Sequence, residues 1–134
     1  PGAASWPRVL LFPTEPDADP LGDWLESIER VERLVPDDVL VLPSHNEPFT
    51  GLHARLRALA NGHRVGLERL RRSLATPKRV VDVFGALFAR KVGDDSNLLS
   101  MATGESLAHL NYLVARGEAH AVVDAAGVAW YRAG

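Results

Sequence analysis

The sequence predicts a mostly helical α+β fold, and three observations carry that prediction. Leu52, Leu56, Leu59, His63, Leu67, Leu70 and Leu74 recur at spacings of three and four, which marks one long amphipathic helix. "DVLVL", residues 38–42, is too short for a helix and almost wholly apolar, so it reads as a strand buried on both faces. At the far end, "EAHAVVDAAGVAWYRAG" offers two short strands, about 118–123 and 128–132, around the turn Asp124 to Gly127.

The remaining elements follow in chain order. "RVLLF", residues 8–12, lies between Pro7 and Pro13 and suits an edge strand or a stretch leaving a sheet; "PTEPDADP" is a loop. Asp19 can cap a helix whose first position suits Pro20, with Leu21, Trp24, Leu25, Ile28, Val31 and Leu34 on one face and Pro36 stopping it. Thr50 is the predicted cap of the leucine-striped helix. Thr76 and Pro77 signal another start, and "KRVVDVFGALFAR" carries Val80, Val83, Phe84, Leu87 and Phe88 on one face before "KVGDDSN" breaks it. Residues 98–116 read as helical, with Gly104 a candidate break and Gly117 a terminator. Helix, helix, hairpin is the order of a winged-helix unit.

Composition narrows the function classes. At 134 residues and 46% hydrophobic the chain can bury a core, so disorder is not expected. It has no cysteine, which rules out disulfides and thiolate metal sites and makes a cytoplasmic location the expectation. No run approaches a membrane span, and "PGAASWPRVLLFP" lacks the basic leader and apolar stretch of a signal peptide, so a soluble protein without a membrane partner is expected. The net charge of −2 argues against a nucleic-acid partner. Nine acidic and two basic residues between Glu15 and Asp38, against six arginines and Glu68 alone between Arg55 and Arg72, read as two solvated helix faces of opposite sign.

Five histidines are the candidates for chemistry. His63 lies in the leucine stripe and reads as a helix-packing residue, and His53 as a partly exposed residue of the first turn. His109 and His120 have no partner at ligand spacing; Glu118 and His120 share a strand face but lack the third group that zinc needs. His45 differs by position. It stands just past the carboxyl end of the predicted buried strand, where open α/β sheets carry their sites, in a loop stiffened by Pro43 and Pro48 in which Asn46 readily takes positive φ.

"DPLGDWLESIERVERL" followed by "DDVLVLPSHNEPFTGLHARL" resembles the C-terminal part of the metallo-β-lactamase-fold hydrolases, the superfamily that includes hydroxyacylglutathione hydrolase (glyoxalase II). In that superfamily a strand ending in L-P-x-H-G supplies the last metal-binding histidine, which corresponds to His45. "NGHRVGLERL" is similar to the H-R-x-x-R-E stretch of a subgroup, and "TPKRVVDVFGALF" onward to its winged-helix-like tail. The resemblance implies a C-terminal piece of an αββα fold in residues 1–51, a connecting helix in 52–75 and a winged-helix-like tail in 76–134. It implies a zinc-dependent parent hydrolase acting on a thioester or ester bond, with His45 as a metal ligand and the parent's N-terminal lobe as partner.

The departures are as informative. The H-x-H-x-D-H metal motif, the second lone histidine and the bridging aspartate are absent from this chain, and Asn46 stands where the family has glycine. No catalytic residue is therefore assigned, and no hydrolase activity is expected of these residues alone. A second reading is a winged-helix-like module for protein contact; DNA binding is disfavoured because residues 103–116 offer only Arg116 against Glu105. A third makes the leucine-striped helix an element of a homo-oligomer, with the faces of residues 21–34 and 39–42 seeking cover.

Overall fold

The computed structural model describes residues 8–89 and 91–134; residues 1–7 and Arg90, which the predicted first and third segments include, lie outside the described residues. The fold is α+β and mostly helical, as expected. Its elements are α1 (Pro20–Leu34), α2 (Leu52–Ser73), a 3-10 turn (Val80–Val83) running into the short α3 (Phe84–Leu87), α4 (Ser96–Ala115), β1 (Ala119–Val123) and β2 (Ala129–Ala133).

α1 begins as its sequence predicts. The Asp19 carboxylate accepts the Gly22 N–H at 3.0 Å, Pro20 takes the first position, and extended Val35 ends the helix before Pro36. Leu21 and Ile28 are buried, with Trp24 and Leu25 packed beside them, while Val31 and Leu34 stay exposed.

Two predicted strands are not strands. Residues 8–12 form an irregular segment in which Leu11 is buried and donates its N–H to the Gly104 carbonyl at 3.0 Å, so the run is docked on α4 rather than paired in a sheet. Residues 38–42 contribute a single bridge, Val41 to Phe49, and leave Leu40 62% and Leu42 74% exposed. Among the described residues no strand lies alongside to take up their backbone groups and cover their faces, the condition that a strand buried on both sides requires.

Two predicted caps shift for local reasons. α2 is capped not by Thr50 but by Gly51, at φ 81°, because the chain turns left-handed out of the Val41–Phe49 bridge and glycine does so without a Cβ clash. The second start is displaced from Thr76–Pro77 to Arg79: Lys78 exchanges hydrogen bonds with Tyr131 at 2.9 and 2.7 Å, which holds that stretch extended. Arg79 then donates its N–H to the Asp82 carboxylate at 2.9 Å and opens the 3-10 turn. Of the predicted apolar face, Val83 is buried and Val80 and Leu87 pack on the core, while Phe84 and Phe88 are half-buried with ring centroids 6.1 Å apart.

α4 runs unbroken through Gly104. A Cβ there would lie 3.3 Å from Leu10 Cδ2 and 3.4 Å from the Leu11 carbonyl oxygen, so the glycine admits residues 10–11 against the helix rather than interrupting it. The helix ends where expected. Gly117, at φ 71°, donates to Val114 at 3.1 Å and Glu118 donates to Leu113 at 2.9 Å, the paired bonds of a Schellman motif. The hairpin follows in the predicted place, with Ala121 opposite Tyr131 and Val122 opposite Trp130. Its turn is organised by the Asp124 side chain, which accepts from Ala126, Val128 and the Trp130 indole at 2.9 to 3.0 Å.

The leucine stripe of α2 forms the centre of the core. Leu67, Leu70 and Leu74 meet Leu11, Leu21, Val83, Leu110, Leu113 and Tyr131 in one cluster, and Leu56, Leu59 and Ala60 meet Ile28 in a second, with Trp24 and Leu25 packed against both. The stripe is thus covered from within the chain, not held out for a second copy.

Candidate functional site: the His45 loop

The loop that carries His45 is built from both ends. Val41 and Phe49 exchange backbone hydrogen bonds at 2.8 and 3.1 Å, closing residues 42–48 into a small hairpin-like loop. Behind it, the His53 ring contacts the Val35 carbonyl at 2.7 Å and its backbone N–H donates to Asp37 at 2.8 Å. The start of α2 is thereby tied to the segment that leaves α1. His53, read from sequence as a partly exposed first-turn residue, is half-buried in that clamp. Within the loop Asn46 adopts φ 71°, as its side chain permits, between Pro43 and Pro48. His45 is exposed at the tip.

One imidazole is not a metal centre. Tetrahedral zinc takes three or four nitrogen, sulfur or carboxylate ligands, and among the described residues no group of three histidines, cysteines or acids is assembled anywhere. The donors of this chain by themselves therefore do not fit a zinc ion.

The other histidines lie elsewhere. His63 of α2 and His109 of α4 face each other with ring centroids 5.6 Å apart. Burial, and secondarily the neighbouring His109, push the His63 pKa down to about 4. Burial also lowers His109, partly countered by the hydrogen bond of its Nδ1 to the Glu105 carbonyl at 2.7 Å. These are neutral packing groups at pH 7, in keeping with the reading of His63. His120 is exposed on β1.

Sequence reasoning did not anticipate a mainly apolar cavity of about 410 Å³ lined by Arg8, Leu87, Phe88, Ala89, Lys91, Val92, Leu98 and Ala102. Beside it, burial raises the Glu105 carboxyl, opposed by the charge of Arg8 at 3.6 Å. These residues come from three separate stretches, so no local pattern announces them. The cavity does not include His45.

With that geometry in view, the comparisons with known proteins define the class. The family model described as metallo-beta-lactamase-like, C-terminal domain, matches residues 67–134, and the chain belongs to that family. Among solved structures, a beta-lactamase domain protein from Burkholderia ambifaria is 37% identical with a TM-score of 0.88, over 95% of this chain and 37% of its own. A metallo-beta-lactamase family protein from Thermus thermophilus is 27% identical with a TM-score of 0.67, over 85% of this chain and 34% of its own. This chain therefore spans about a third of the length of each. No curated protein matches it. No helix among the described residues is long and apolar enough to cross a membrane.

Proposed function

We propose that the chain is the C-terminal region of a metal-dependent hydrolase that cleaves a thioester or ester bond, and that it is not catalytically complete by itself. His45 would be one ligand of a zinc centre whose remaining ligands, and whose chemistry, belong to an N-terminal lobe of the parent protein. The division follows the sequence reading: residues 1–51 as the remnant of that lobe, 52–75 as the connecting helix and 76–134 as a winged-helix-like tail. The observation that carries this reading is the combination of a loop closed by the Val41–Phe49 bridge, with a histidine exposed at its tip, and the likeness to proteins about three times as long. A cytoplasmic location goes with it.

The exposed Leu40 and Leu42 beside that loop support the same reading, since they are the side chains that an adjoining lobe would cover. Two measurements test it. Supplied with zinc or manganese, the 134-residue chain should not turn over a generic thioester; turnover that disappears on His45→Ala would overturn the proposed incompleteness. In a protein extended upstream to include an H-x-H-x-D-H motif, His45→Ala should lower bound zinc and thioesterase activity by roughly ten-fold or more, without lowering the melting temperature of the metal-free protein. An unchanged zinc content would remove His45 from the ligand set. The alternative, a winged-helix-like module for protein contact, rests on the order α3, α4, hairpin, and a salt-sensitive gel shift would favour its DNA-binding form.

A further inference from the structure

The free edge of β1 carries an inference independent of the His45 loop. β2 is partnered on both sides, by β1 and, on the other flank, by Lys78 and by Leu74, whose carbonyl accepts the Ala133 N–H at 2.9 Å. Backbone groups alternate sides along a strand, so the bonds of Tyr131 and Ala133 to that flank make Ala121–Tyr131 and Val123–Ala129 the non-bonded pairs of the hairpin. The N–H and C=O of Ala121 and Val123 consequently point outward, and nothing among the described residues pairs with them. Edges are ordinarily blunted by charge, proline or a bulge. Ala119–Val123 has none of these, and Val122 and Val123 are 61% and 63% exposed.

We propose that this edge pairs antiparallel with the same edge of a second copy of the chain, extending the hairpin into one sheet across a two-fold axis at Val122. The side chains select the register. With Ala121 opposite the partner's Val123, two bonded pairs form across the axis. Val122 then meets the partner's Val122 in the close, non-bonded position, and His120 meets the partner's Asp124, imidazole against carboxylate. Sliding the axis to Ala121 would set Glu118 against the partner's Asp124, two carboxylates, and loses that match. An apolar residue opposite itself and an imidazole opposite a carboxylate, both arising from self-pairing, select a second copy as the occupant. This surface differs from the leucine-striped helix on which the third sequence reading placed a homo-oligomer.

The absence of cysteine makes the test direct. Val122→Cys should give a disulfide-linked dimer on mild oxidation, whereas Val81→Cys, at a position 49% exposed on another element, should remain monomeric. By sedimentation velocity the unaltered chain should form a concentration-dependent dimer, weakened roughly ten-fold or more by Ala121→Pro, which removes an outward N–H and leaves the β1–β2 ladder intact. Val122→Lys, which opposes two like charges, should weaken it similarly. Circular dichroism establishes that each variant is folded. A chain that stays monomeric at millimolar concentration, or a dimer undiminished in both folded variants, overturns the proposal.

Discussion

His63 occupies a position in the leucine stripe where the helix pattern asks for an apolar residue, and it meets that demand by giving up its proton. Its pKa in the fold, about 4, lies below the ordinary 6.5, so the unfolded chain binds more protons between those values. The stability contributed by neutral His63 is complete above pH 6.5 and is lost as pH falls through that window toward 4. Because the ring is half-buried, solvent screening reduces the loss to about 1–2 kcal/mol. Glu105, whose carboxyl is raised by burial, acts in the opposite sense. Urea unfolding at pH 7 and pH 4.5 measures the His63 contribution: the unaltered chain should lose stability on acidification, to which His109, also lowered by burial, contributes in the same sense, and His63→Gln should lose clearly less. The helix-packing role of His63 was legible from its spacing. Its pairing with His109 was not, since the two are brought together only when α2 and α4 dock.

At the scale of elements, start and stop signals were most reliable where a side chain bonds locally. Asp19 caps α1 and also receives Arg116 at 2.9 Å, joining the start of α1 to the end of α4. Asp19→Ala removes both interactions, and we expect a loss of about 1–2 kcal/mol in urea unfolding with an unchanged slope. A change of a few tenths would mean that water replaces the cap. Gly117 and the Asp124 turn were legible because each is settled by bonds between residues no more than six apart in the chain. Thr50 and Thr76 were equally plausible as caps. Each failed because a contact distant in sequence, Val41 with Phe49 or Lys78 with Tyr131, held the preceding backbone in another conformation.

The whole molecule is organised by α2. Leu70 is fully buried in a cluster that draws Leu11 and Leu21 from one end of the chain and Tyr131 from the other. Leu70→Ala should cost about 2–5 kcal/mol. Because the cluster joins both ends, tryptophan fluorescence, to which Trp24 of α1 and Trp130 of β2 contribute together with Trp6, and far-UV dichroism should shift to lower urea together. Separate transitions by the two probes would show that the ends unfold independently.

The amino-acid order by itself determined the three long helices, the buried part of the apolar face of each, where the hairpin turns and to which family the chain is similar. All of these depend on periodicity or on interactions a few residues apart. Only the tertiary structure decided that residues 8–12 dock on Gly104 instead of forming a strand, that the leucine stripe is covered from within, and that Leu40 and Leu42 are left exposed beside His45. An apolar run states that burial is favourable but not what provides it, because the covering surface comes from residues distant in sequence.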